Sequence, residues 1–146
     1  METLVYTQSE IGVVATKLIQ FASKGNTAID STIIALSGNL GAGKTTLIQE
    51  LATIMGVTEQ VTSPTFVVMK RYQTTHCIFS ELIHIDAYRI EQAGEMQVLG
   101  FMQWIKNPQT LICIEWPEKI SSLIPSSAIS ASITGVDENT RKITYG

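Results

Sequence analysis

The residues of this chain best equipped for chemistry are Gly38-Asn39-Leu40-Gly41-Ala42-Gly43-Lys44-Thr45, which fit the pattern G-x-x-x-x-G-K-[ST] at each fixed position. Glycines at these places let the backbone curl into a nest whose N–H groups point at phosphate oxygens, and a helix beginning near Lys44 adds the positive end of its dipole. Lys44 can reach the β- and γ-phosphates of a nucleotide as a mobile cation, while the Thr45 hydroxyl is a hard oxygen ligand suited to Mg²⁺. Gly38 through Thr46 are thus the candidate nucleotide-binding residues. At ordinary residue frequencies the fixed positions coincide by chance roughly once in 200 chains of this length, so the match carries weight.

A phosphate-binding loop of this kind needs an acid at the end of a neighbouring strand to hold Mg²⁺. Two apolar runs end in one, Leu82-Ile83-His84-Ile85-Asp86 and Leu111-Ile112-Cys113-Ile114-Glu115. Period-2 alternation puts His84 and Asp86 on one strand face, with Asp86 nearest the carboxyl end, where ligands of open α/β sheets bind. Thr45, Asp86 and Glu115 are the candidate metal ligands, and which acid touches the ion directly stays open. His84 suits a structural hydrogen-bonded group better than a catalyst, and His76 falls in a predicted turn. Neither Asn-Lys-x-Asp nor Asp-x-x-Gly, the guanine and switch motifs, occurs in the chain, which favours ATP or ADP.

Positioning these groups requires a strand before the loop and a helix after it. Thr32–Leu36 is a short apolar run, and Leu47, Leu51 and Ile54 recur beyond the glycines with helical period. Upstream, Thr7 and Glu10 have capping-box spacing, and Ile11, Val14, Leu18 and Phe21 predict an amphipathic helix ending at Lys24-Gly25. Phe66–Met69 and Ile78–Ile85 predict an antiparallel hairpin across Gln73–Thr75. Val98, Phe101, Met102 and Ile105 predict another helix, ended by Asn107-Pro108, before the buried strand that closes on Glu115. Ile129, Ala131 and Ile133 alternate, and Arg141–Tyr145 can pair with them across Asp137–Asn139. The expected fold class is α/β, a P-loop NTPase-like mixed sheet with a parallel core and antiparallel additions, flanked by helices.

The 146 residues, 45% of them hydrophobic, suffice for one domain spanning 1–146 with one sizeable core. A formal net charge of −3 and the lack of any long Lys/Arg run argue against tight direct binding to nucleic acid. Cys77 and Cys113 lack disulfide or metal-ligand spacing, so a reduced, cytoplasmic protein is expected. The acidic N-terminal start and the absence of any apolar stretch of membrane-spanning length predict no signal peptide and no membrane association.

Beyond the P-loop, Thr62-Ser63-Pro64-Thr65-Phe66, His84-Ile85-Asp86-Ala87-Tyr88-Arg89 and Ile114-Glu115-Trp116-Pro117-Glu118 occur in this order. Together they resemble the TsaE (YjeE) family, the bacterial P-loop ATPases of tRNA threonylcarbamoyladenosine (t6A) biosynthesis. The resemblance implies that Glu115 is the Walker B-like acid and that Asp86 is a second acid beside Mg²⁺ and the γ-phosphate. It also implies that Thr65 is catalytic within a switch-like loop and that Trp116 lies beside the nucleotide. The implied partners are TsaD and TsaB, with tRNA engaged through that complex. Ile90–Gln97 matches the family's acidic stretch only loosely. A small-molecule P-loop kinase is the rival reading, yet Lys70, Arg71, Arg89, Lys106 and Lys119 form no obvious arginine-bearing lid. A non-hydrolysing ATP sensor is disfavoured by the presence of both acids.

Overall fold

The computed structural model describes residues 1–146. Its centre is a mixed seven-stranded sheet in the order β1-β7-β6-β2-β5-β4-β3. The strands are β1 (Glu2–Thr7), β2 (Thr32–Gly38), β3 (Met69–Gln73), β4 (Glu81–Asp86), β5 (Thr110–Glu115), β6 (Ile129–Gly135) and β7 (Thr140–Tyr145). β6, β2, β5 and β4 run parallel, whereas β1 and β3 close the two edges through antiparallel pairing with β7 and β4. β5 is buried along its whole length, which is why it reads as a continuous apolar run instead of alternating.

Helices cover both faces. On one, α1 (Ile11–Gly25) and α2 (Lys44–Ile54) pack Leu18, Leu47 and Leu51 over Ile34, Leu36, Leu82 and Leu111. On the other, Met96, Phe101 and Trp104 from α3 (Gly94–Val98) and α4 (Phe101–Trp104) cover Ile33, Ile83, Ile85, Ile112 and Ile114. Burying each such leucine or isoleucine contributes roughly 1.5–3 kcal/mol. Strand register therefore matters: a one-residue slip would exchange the two apolar sets and turn the site acids to the wrong face. No helix is long and apolar enough to cross a membrane.

Several local expectations hold. Thr7 and Glu10 form the capping box, with Thr7 N–H donating to Glu10 at 2.8 Å, although they cap a 3-10 turn (Gln8–Glu10) that leads into α1. β6 and β7 form the expected hairpin, Ile133 facing Ile143. β4 begins at Glu81 and not at the expected Ile78, and two further expectations fail. Phe66–Val68 is not strand: Pro64 starts a turn, the N–H of Val68 returns to the Pro64 carbonyl at 2.6 Å, and Val68 adopts φ 69°. β3 accordingly begins at Met69. The predicted helix through Val98 and Met102 is broken in two at Gly100, whose φ is 100°. Met96, Phe101 and Trp104 consequently face the core, while Val98 and Met102 are exposed.

Candidate functional site

The glycine-rich loop Gly38–Gly43 forms where β2 ends and α2 begins, both of which are anchored in the core. Gly38 has φ 153° and lies so near β6 that a Cβ there would come 2.8 Å from the Ile133 carbonyl oxygen. Gly43 occupies the position before the helix with φ 102°, a left-handed conformation that side chains with a Cβ resist. These conformations leave the first amides of α2 facing the cavity rather than bonded within the helix, the arrangement that attracts anions.

Lys44 folds back over the loop. Its Nζ donates to the carbonyls of Gly38 at 2.5 Å and Asn39 at 3.1 Å, and lies 4.1 Å from the Trp116 ring centre. Burial pushes its pKa below the ordinary lysine value, and the nearby carboxylates of Glu115, Glu118 and Asp86 oppose that shift. Trp116 directly follows β5 and has φ 58°, a left-handed turn that swings its ring over Lys44 and to 5.2 Å from Tyr88. Pro117 then begins a 3-10 segment with its fixed φ.

The acids stand side by side, because β4 and β5 pair in parallel with Asp86 opposite Glu115. Both are nearly buried, at 4% and 3% exposure. Each is held by specific donors. The Thr45 hydroxyl lies 2.9 and 3.0 Å from the two Glu115 oxygens, and His84 Nε2 lies 2.7 Å from Glu115 Oε2. Asp86 accepts from the Thr65 hydroxyl at 2.7 Å and from the Tyr88 N–H at 3.0 Å.

A cavity of about 340 Å³ gathers Leu40, Gly41, Gly43, Lys44, Thr45, Thr46, Thr65, Asp86, Glu115 and Trp116, all anticipated from sequence. Gly38, Asn39 and Ala42 line instead a cleft of about 550 Å³ on the other side of the loop, against the β6–β7 turn and Arg141. Ser63 and Tyr88 also line the first cavity; the sequence places both in the quoted segments but gives neither a role at the site. Sequence reasoning likewise gave no partner for His84. Its alternation with Asp86 indicated the shared face, but Glu115 lies on another strand and becomes its neighbour only through the β4–β5 register.

No group of three or more His, Cys, Asp or Glu side chains converges in a metal-binding cluster. The oxygens of Thr45, Glu115 and Asp86 nevertheless fit Mg²⁺, which takes few protein ligands and completes its shell with water and substrate phosphates.

Comparison with known proteins shows the family. The family described as "Threonylcarbamoyl adenosine biosynthesis protein TsaE" matches residues 5–143. The tRNA threonylcarbamoyladenosine biosynthesis protein TsaE of Nostoc sp. is 34% identical over 120 residues, spanning 81% of this chain and 72% of that protein. Its counterpart from Bacillus subtilis is 33% identical over 113 residues, spanning 77% and 68%. Among solved structures, the crystal structure of Bacillus subtilis YdiB aligns with a TM-score of 0.68 at 23% identity, covering 99% of this chain and 84% of that one. That last likeness concerns the fold.

Proposed function

This chain belongs to the TsaE family, and from that premise we propose that it binds and hydrolyses Mg-ATP in support of N6-threonylcarbamoyladenosine formation at position 37 of tRNA, as a partner of TsaD and TsaB. The observation that carries the proposal is the Thr45–Glu115 hydrogen bond beneath the Lys44 loop. It joins the phosphate cradle to the acid of the neighbouring strand, which is the pairing that P-loop hydrolysis uses.

In this reading the P-loop amides and Lys44 bind the β- and γ-phosphates, Lys44 exchanging its carbonyl partners for phosphate oxygens. Thr45 can keep its hydroxyl hydrogen on Glu115 while offering a lone pair to the metal, so one hydroxyl serves both groups. Bound Mg²⁺ would neutralise charge between the β- and γ-oxygens. Asp86 carries the second carboxylate of the cavity, and Thr65 ties the Thr62–Phe66 loop to it, which suits a segment that orders around the γ-phosphate. Trp116 walls the site. ADP would occupy the same cradle after hydrolysis.

Phosphoryl transfer is accelerated mostly by positioning and charge, and a supplied arginine contributes about 10³–10⁵ in rate. Lys44 is the only Lys or Arg lining the cavity. Arg89, the one candidate near a strand's carboxyl end, stacks 4.6 Å from the Phe66 ring. Such a site favours slow hydrolysis alone and completion by TsaD–TsaB, through which tRNA is reached indirectly. Both cysteines are free, in keeping with a cytoplasmic setting.

The test is steady-state ATP hydrolysis by the purified chain, with and without TsaD–TsaB. Faster turnover with the partners is expected. Equal rates would remove the partner-dependence, and rapid transfer of phosphate to a small metabolite without partners would point to a kinase.

A further inference from the structure

His84 is fully buried, and its one polar contact is the 2.7 Å hydrogen bond from Nε2 to Glu115 Oε2. Nδ1 has no partner. With Glu115 as the sole acceptor in reach, the hydrogen bond network assigns the ring hydrogen to Nε2. An imidazole with a stranded nitrogen is a poor choice for filling space, since Leu82, two residues earlier on the same strand face, packs there with nothing left unsatisfied. What distinguishes position 84 is its reach. It lies opposite Cys113 in the β4–β5 register, two residues below Glu115, and meets that carboxylate diagonally from inside the sheet.

We propose that His84 is a positioning residue for Glu115: it fixes Oε2 from beneath so that the remaining oxygen is presented to Thr45 and to the cation of bound Mg-ATP. This rests on the Mg-ATP reading above. Thr45 approaches both Glu115 oxygens almost equally, at 2.9 and 3.0 Å, but its hydroxyl has one hydrogen to give and cannot by itself fix the carboxylate's rotation. His84 supplies the second donor, from another element and away from the cavity. The Nε2 donor stays with Glu115 when the Thr45 lone pair is engaged elsewhere, so the orientation persists in the loaded site. Donors standing behind metal-binding carboxylates typically change metal affinity about 10–100-fold when removed.

The experiment uses two amides of different reach in the full-length chain. In His84→Gln the side-chain N–H₂ can occupy the Nε2 position, whereas in His84→Asn it falls short. The readout is the Mg²⁺ concentration that half-maximally tightens ATP binding, measured calorimetrically, with Mg²⁺-free ATP binding as the check that the P-loop remains folded. His84→Asn is expected to raise that concentration about tenfold or more, while His84→Gln stays within about threefold of the parent. His84→Leu, which strands no amide, should reproduce the asparagine loss. Asparagine and glutamine variants that behave alike, whether both parental or both impaired, overturn the role of the Nε2 hydrogen bond. A parent chain whose ATP binding is indifferent to Mg²⁺ would instead refute the Mg-ATP reading, and this inference with it.

Discussion

The hydroxyl of Thr65 lies 2.7 Å from Asp86 Oδ2, which pins the loop between α2 and β3 to the carboxyl end of β4. A hydrogen bond to a charged acceptor contributes about 1.5–3 kcal/mol, enough to keep this exposed-edged loop closed most of the time. Thr65→Val keeps the shape and removes the donor. Backbone amides of residues 62–68 should then exchange with deuterium faster by about tenfold or more, and partner-stimulated ATP hydrolysis should fall. Unchanged exchange in that segment would mean that the Thr65–Asp86 contact does not hold the loop.

Glu115 accepts hydrogen bonds from two elements inside the protein, so its removal strands buried donors. Glu115→Ala should cost about 1–3 kcal/mol of stability, read from the urea midpoint. Glu115→Gln, which keeps an acceptor oxygen, should cost less, while both variants hydrolyse Mg-ATP more slowly than the parent. An alanine variant as stable as the parent would argue that Thr45 and His84 find other partners.

High pH should destabilise the fold through two buried acids. Burial, then the charge of Glu115, pushes the Cys113 thiol from 9.0 up to about 12. Burial, then its hydrogen bond to Glu2, raises Tyr145 from 10.0 to about 12. Both folded values exceed the unfolded ones, so the folded state holds more protons in this window. Their stabilisation is fully present below about pH 9 and is lost as pH rises toward 12, at up to about 1.4 kcal/mol per pH unit for each group. Urea midpoints between pH 8 and 11 should fall, and Cys113→Ala or Tyr145→Phe should flatten the decline. An identical slope in both variants would contradict this assignment.

The P-loop was legible because its constraints are local: glycines for positive φ, a lysine and a threonine at fixed spacing, a strand before and a helix after. Asp86 and Glu115 were legible as strand-end acids for the same reason. Their adjacency was not, since it depends on β4 and β5 pairing between positions 29 apart in the sequence, as Asp86 facing Glu115 shows. β1 is not legible because Glu2–Thr7 is an edge strand, half of it exposed, whose partner β7 lies at the other end of the sequence. At Val98–Ile105 the helical spacing of apolar residues continues through Gly100, where a single left-handed residue changes which side chains face inward.

The central claim is that the Lys44 loop is a Mg-ATP site, and calorimetric titration of nucleotide into the isolated chain tests it most directly. Saturable binding of Mg-ATP is expected, tighter than that of Mg-GTP. Lys44→Ala should weaken it about 10- to 100-fold, as loss of a charge-assisted contact to phosphate requires. Failure of the parent chain to bind Mg-ATP, or an affinity that survives Lys44→Ala unchanged, would contradict the account.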